Sequence, residues 1–495
     1  TGNMAQELDE QLSKLWKNDW VDLRGLVTCA TLHLFTSESP SIDCVSISLL
    51  GQGSYNTVYR LAFSDDTEVA ASVCQYDESK FNPEAKRSEI ATMKFVRESG
   101  LYPDVPVPKV LAWDFTFTNA ARAPYVLMEV VPGVTTKLTK GISGDLDTDS
   151  LARDFALIKS LAKLQASLSK PVPFNQIGSL VTDVDGKFVL GPLMTMSQGT
   201  LGGPFKSIHD LWRLQLEGEL MQALTEWGNL ETDNSALTWF GVVCTPHMYA
   251  ELFQFLSALI PHFEPPKSCR SLVLYHPDIA LRNVLFDESS LSSSDSPRVT
   301  GVLDWAGAQI LPAMFTAHYP LDLITDRDSP FTHPNRPRED WMTVPCDWTS
   351  TGDISDWPQT FCAVNVPYDN TPGVHRNIRQ FYLRTHFSAC YAEQLYAQRG
   401  IADLACATMF KDAPYYLKFD EVIGGGWQHW VKHRTWIRET YWRLRMAGHG
   451  SKGSEELVVG PNVYLEPAEA PVCDLGIFAE YPRPEENPTR KGETL

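Results

Sequence analysis

Tyr275-His276-Pro277-Asp278-Ile279-Ala280-Leu281-Arg282-Asn283-Val284-Leu285, followed by Gly301-Val302-Leu303-Asp304-Trp305, decides how the rest of the chain is read. A His, an Asp two places on and an Asn five after that form H-x-D-x-x-x-x-N, and the apolar run at 301–303 ends on a second Asp. Phosphoryl transfer needs a positioned acceptor oxygen and a divalent cation on the phosphates. Asp278 suits the first task, as the carboxylate that takes the acceptor's proton. Asn283 and Asp304 suit the second, as an amide oxygen and a carboxylate for Mg²⁺. Short motifs arise by chance, but apolar positions on both sides and the strand-like Val299–Leu303 argue for a built loop. His276 reads as an anchor for that loop rather than a base, and Arg282 as a group that orients Asp278 or packs on it.

Upstream, Val45, Ile47 and Leu49 alternate with polar residues and lead into Gly51-Gln52-Gly53-Ser54-Tyr55-Asn56-Thr57-Val58-Tyr59. This predicts two strands joined by a tight turn whose backbone N–H groups, at Gly51, Gly53 and Ser54, can approach nucleotide phosphates. The next strand, Val69–Val73, carries Ser72 where a phosphate-binding lysine is expected. The helix after it, Glu84–Glu98, offers Glu89 as the acid that such a lysine pairs with. A Glu near phosphates with no cation beside it is an uncompensated charge. Lys86, one turn before Glu89, and Arg60 are candidate replacements, though each also reads as an ordinary surface charge. Pro124–Gly133 predicts a strand ending in a hinge, with the backbone of Glu129 to Val131 offered to adenine.

Taken together these residues resemble the aminoglycoside phosphotransferase-like family, in its fungal branch. The resemblance is carried by Gly51-x-Gly53 with Asn56 and Tyr59, Ser88–Met93, Val107–Val110, Pro124-Tyr125-x-Leu127-Met128-Glu129, His276-x-Asp278-x-x-x-Arg282-Asn283 and Leu303-Asp304-Trp305. It covers about residues 45 to 320. It implies an α+β, bilobal protein-kinase-like fold, ATP and Mg²⁺ as cofactors, and phosphorylation of a hydroxyl on a small molecule. Two positions depart from the family pattern: Ser72 stands where Lys or Arg is usual, and Ala306 where a carboxylate follows Asp-Trp.

The expected organisation is an N-terminal helical extension (1–44), a nucleotide-binding lobe (45–133), a larger lobe with the catalytic loop and acceptor region (134–447) and a tail (448–495). A single helix is expected over 5–35. In the second lobe, helices are expected at 148–170, 207–228, 246–260, 373–398, 402–410 and 428–446. A hairpin is expected about Asp185-Gly186. One face of the 373–398 helix should carry Tyr382, His386, Tyr391, Leu395 and Tyr396, and the aromatic run from Trp427 to Trp442 should be core. The Pro-, Asp- and Thr-rich stretch 326–372 is a candidate for acceptor specificity.

Net charge is −19, from 42 basic and 61 acidic residues. That argues against a nucleic-acid or anionic-membrane surface and allows a cationic acceptor, although acidic surface also serves solubility. Ten scattered cysteines form no C-x-x-C, and no glycosylation sequon is present, which favours a reducing compartment. The first thirty residues carry acids throughout, unlike a signal or transit peptide, so a cytoplasmic location is expected, short of a segment preceding Thr1. Oligomeric state is not legible. Two readings follow: a small-molecule phosphotransferase, or a kinase-like nucleotide-binding scaffold weakened by Ser72.

Overall fold

The computed structural model describes residues 20–35, 42–139, 148–323 (apart from 198, 229, 231–234, 240 and 293–295), 372–399 and 409–450, with 8, 10–12 and 15 near the start. A five-stranded antiparallel sheet forms the N-terminal part: β1 (Cys44–Gln52), β2 (Asn56–Phe63), β3 (Glu68–Cys74), β4 (Val110–Asp114) and β5 (Tyr125–Glu129), in the order β1-β2-β3-β5-β4. β3 is therefore central, with Ser72 opposite Val58 on one side and Val126 on the other. Side chains alternate across a strand. Ala71 and Val73 join Leu61, Tyr125 and Leu127 in one core with the helix α1 (Leu23–Leu34). By the same alternation Ala70, Ser72 and Cys74 take the opposite face, and Cys74 there is within electrostatic reach of Lys86 and Glu89 on the helix α2 (Pro83–Glu98).

The helix expected over 5–35 does not run through Trp20–Asp22. α1 starts at Leu23 because Asp22 caps it: the Asp22 carboxylate accepts the Gly25 N–H at 2.9 Å. An Asp side chain that satisfies an orphan helix N–H marks a start. α2 covers the expected Glu84–Glu98 and starts one residue earlier, with Pro83 in the first turn and the Asn82 side chain accepting the N–H groups of Glu84 and Ala85.

The helical C-terminal region is built on the helix α3 (Thr148–Leu168), whose Phe155, Leu157, Ile158, Leu161 and Ala162 are buried, packed along Pro372–Arg399. Helices at Ile208–Trp227 and Pro246–Leu259 and the hairpin Ser179–Thr182/Phe188–Gly191 form as expected. Tyr382, Tyr391 and Leu395 are buried, but Tyr396 is exposed and lies off that face. The expected helix 402–410 lies largely outside the described residues. A helix absent from the sequence reading, Met409–Gly424, takes up the end of it; Pro414 obscures its pattern. The expected 428–446 helix is two, Gly426–Lys432 and Arg434–Gly450, parted at His433. Trp427 and Trp430 are core. The 326–372 stretch and the tail beyond Gly450 lie outside the described residues.

Candidate active site

The H-x-D loop follows the strand Leu272–Tyr275, and its Asn283 opens the strand Val284–Phe286, which pairs with Val299–Val302. That pairing returns the chain to Asp304 beside the loop. The two segments are also tied directly. Leu303 donates its N–H to the Asn283 carbonyl at 2.8 Å, and its own carbonyl lies 3.2 Å from His276 Nε2.

His276 uses both ring nitrogens on backbone. Nδ1 accepts the Asp278 N–H at 3.2 Å, so Nε2 carries the proton and donates to the Leu303 carbonyl. The ring lies against Trp305, which is itself fully buried and donates its indole N–H to the Val302 carbonyl. Burial pushes the His276 imidazole down to about 4. A buried neutral ring with both nitrogens engaged holds the loop's shape and has no lone pair left for a substrate proton.

Asp278 is gripped at both carboxylate oxygens. Arg282 Nη2 donates to Oδ1, and Asn283 Nδ2 donates to Oδ2 at 2.8 Å and to the Asp278 carbonyl at 2.9 Å. The Asp278 side chain is 6% exposed and that of Arg282 58%, so Arg282 covers the carboxylate on its solvent side. Because the Asn283 amide nitrogen is turned to Asp278, its Oδ1 is the free acceptor. Asp304 sits at φ 60, a left-handed conformation that costs a non-glycine residue about 1 kcal/mol or more and concentrates at functional sites. The residue as a whole is exposed. Desolvation of its carboxyl by the surrounding protein, with Glu89 and Asp278 adding to it and Lys86 opposing, still pushes its pKa up to about 6.

One carboxylate under like-charge pressure and one free amide oxygen fit a hard divalent cation that takes its other oxygens from phosphates and water. Among the described residues no group of three His, Cys, Asp or Glu side chains could hold a metal unaided, and such a site does not need one.

The Gly hairpin joins β1 to β2, with Gly53 donating to the Asn56 carbonyl at 2.9 Å. A Cβ at Gly51 would meet nothing within 4 Å, and one at Gly53 only the Asn56 carbonyl at 3.8 Å. The protein's own packing therefore does not demand glycine at either place. Gln75 braces the turn, its amide donating to the Gly53 carbonyl and to Thr57. Ser72 makes no side-chain hydrogen bond among the described residues.

Arg60 is not a replacement for the missing lysine: it pairs with Glu68 on the sheet surface. Lys86 is different. Its ammonium is buried and lies 2.8 Å from Glu89. Glu129 turns its side chain outward to Arg97 and the Lys109 N–H, and its own N–H is bonded to the Lys109 carbonyl. Only the hinge backbone beyond that N–H, through Val131, is left to the adenine reading. Gly133, at φ 137, packs against the strands Val284–Phe286 and Val299–Val302, where a Cβ would stand 2.4 Å from Thr300 Oγ1.

The sequence reading missed Asp322, whose Oδ2 accepts the Leu281 N–H at 2.7 Å and so holds the H-x-D loop from its far side. No local signal marks it, since it acts across 41 residues. It also missed Gln75.

An antiparallel sheet flanked by α1 and α2, a helical C-terminal region and an Asp–Asn loop near a second Asp define a kinase-like phosphotransferase architecture. Residues 46–315 match the profile of the Phosphotransferase enzyme family (APH), more than half of the chain, and the protein belongs to that family. It is 26% identical over 334 residues to a subtelomeric hrmA-associated cluster protein of Aspergillus fumigatus, covering 58% of this chain and 62% of that one. To the mitochondrial protein named altered inheritance of mitochondria protein 9 from Debaryomyces hansenii it is 29% identical over 142 residues, 28% of this chain and 22% of that one. The chain thus spans less than two thirds of either relative. Among solved structures it resembles the GDP and kanamycin complex of an aminoglycoside 2″-phosphotransferase at 14% identity and TM-score 0.34, over 86% of this chain and 98% of that one. No helix of the described residues is long and apolar enough to cross a membrane.

Proposed function

We propose that the protein is an ATP-dependent phosphotransferase acting on a hydroxyl of a small molecule. The observation that carries this reading is the joint holding of Asp278 and Asn283: one hydrogen bond fixes the proton acceptor and frees the amide oxygen for a cation. Asp278 takes the proton of the acceptor hydroxyl as that oxygen bonds the γ-phosphorus and the bond to the β–γ bridging oxygen breaks, leaving ADP. Mg²⁺, when bound, neutralises phosphate charge; Asn283 Oδ1 and the Asp304 carboxylate are the residues that would hold it. Arg282 keeps Asp278 oriented. Gly51, Gly53 and Ser54 present backbone over the phosphates, and the absence of any packing reason for glycine there supports a ligand's approach. The hinge through Glu129 and Val131 receives adenine. The lobe boundaries at about 45–133 and 134–447 are part of this proposal.

The acidic balance favours acceptors with an amine, such as amino sugars and amino alcohols. The alternative, a weakened nucleotide-binding scaffold, rests on Ser72 alone and leaves the joint presence of Asp278, Asn283 and Asp304 without a purpose. The reading is tested by incubating the protein with γ-labelled ATP, Mg²⁺ and a panel of hydroxyl-bearing amines and sugars. Label transferred to an acceptor by the parent and lost in Asp278→Asn supports it. Nucleotide binding with no transfer across the panel, and no difference between parent and Asp278→Asn in ATP turnover, favours the scaffold.

A further inference from the structure

We propose that Lys86 supplies from the helix the phosphate-binding cation that Ser72 fails to supply from the strand, with Glu89 holding it in place. This rests on the phosphotransferase reading above and names a residue that the family's strand position does not provide.

Lys86 is 5% exposed, on the first turns of α2. Lysines are almost never buried unless paired, and a positive charge near a helix N-terminus opposes the helix dipole. Arg87 beside it behaves ordinarily, half-exposed and paired with Glu84 on the surface. Among the described residues the Lys86 ammonium has one hydrogen-bond partner, Glu89. Two of its three donors are therefore left without one. An apolar side chain would serve the fold at least as well as a buried ion pair, so a ligand is the economical reason for the ammonium.

Burial pushes the Lys86 ammonium down, but Glu89, helped by Cys74 and Asp304, more than offsets this, so it stays charged. Cys74 lies on the same face of β3 as Ser72, two residues away, and Asp304 is the proposed metal carboxylate. The charge is thus within electrostatic reach both of the strand face from which a lysine at 72 would rise and of the proposed metal carboxylate. Ala70, Ser72 and Cys74 put no long side chain on that face. Both partners of the pair now lie on α2, three residues apart, where side chains meet. Cation and acid therefore move together with the helix.

The test is calorimetric titration of the full chain with ATP and Mg²⁺, with melting temperature recorded for each variant. Lys86→Gln should weaken binding about 10- to 100-fold, the effect of losing a charge-assisted contact to phosphate. Ser72→Lys added to Lys86→Gln should recover most of that loss, which a purely structural role for Lys86 would not allow. Arg87→Gln should bind as the parent does. Should Lys86→Gln not fold, Lys86→Met with Glu89→Gln leaves no orphan charge, and the same loss and recovery are expected of it. The proposal is overturned if the folded lysine variant binds within about twofold of the parent, or if its loss is untouched by Ser72→Lys. A parent that binds no ATP overturns both this proposal and the phosphotransferase reading, whereas a parent that binds beside an unaffected Lys86→Gln overturns this one alone.

Discussion

Asn283 donates its amide to the Asp278 carboxylate at 2.8 Å, making the proposed proton acceptor and a proposed metal ligand one mechanical unit. Asp278→Asn should then lower phosphoryl transfer by about two or more orders of magnitude with nucleotide affinity little changed. Asn283→Ala should impair both, because it removes a metal oxygen and releases Asp278. Steady-state kinetics beside binding measurements separate the two outcomes.

Asp304 should make the nucleotide-free protein less stable than it could be at neutral pH. Its folded pKa is raised to about 6 from 3.8. A raised carboxyl contributes stability below its unfolded pKa and loses it as pH rises through the folded one. Asp304→Asn should therefore raise the melting temperature at pH 7.5, by an amount worth less than about 1 kcal/mol because the residue is exposed. The gain should disappear near pH 4.

His276 acts in the opposite sense. Its folded pKa is depressed from 6.5 to about 4, so its contribution is present above pH 6.5 and is lost as pH falls toward 4. That loss is on the order of 3 kcal/mol for a fully buried ring. In the parent, Asp304 offsets part of it over the same range. Denaturation midpoints between pH 7.5 and 4.5 should accordingly fall more steeply in Asp304→Asn than in the parent.

Gly133 is needed for a reason of space and of backbone angle. At φ 137, with Thr300 Oγ1 and the Phe286 carbonyl inside 3 Å of any Cβ, Gly133→Ala should cost about 2 kcal/mol or more. Urea midpoints measure this directly. Gly51→Ala, where a Cβ meets nothing, should leave stability within about 0.5 to 1 kcal/mol of the parent while weakening nucleotide binding.

What was legible in the sequence was what short periods and fixed spacings encode. The β1–β2 hairpin, the helix over Glu84–Glu98 and the order Asp278, Asn283, Asp304 are local patterns, and the kinase-like α+β fold came from the family resemblance that they carry. Asp322 and Gln75 could not be read because each acts through a backbone group far away or on a turn whose shape is not written in its residues. Lys86 was visible only as one of two candidates. Its i,i+3 spacing to Glu89 is equally that of a solvated helix face, and only burial separates the two. The long helix expected over 5–35 failed on one residue, Asp22, whose capping role depends on the chain turning there toward Ala121.

The measurement that bears most directly on the central claim is titration of the parent and of Asp304→Asn with ATP, each with and without Mg²⁺. The account predicts one saturable site in the parent whose affinity depends on Mg²⁺, and loss of that dependence in Asp304→Asn. No binding by the parent, or binding indifferent to Mg²⁺ in both proteins, would contradict it.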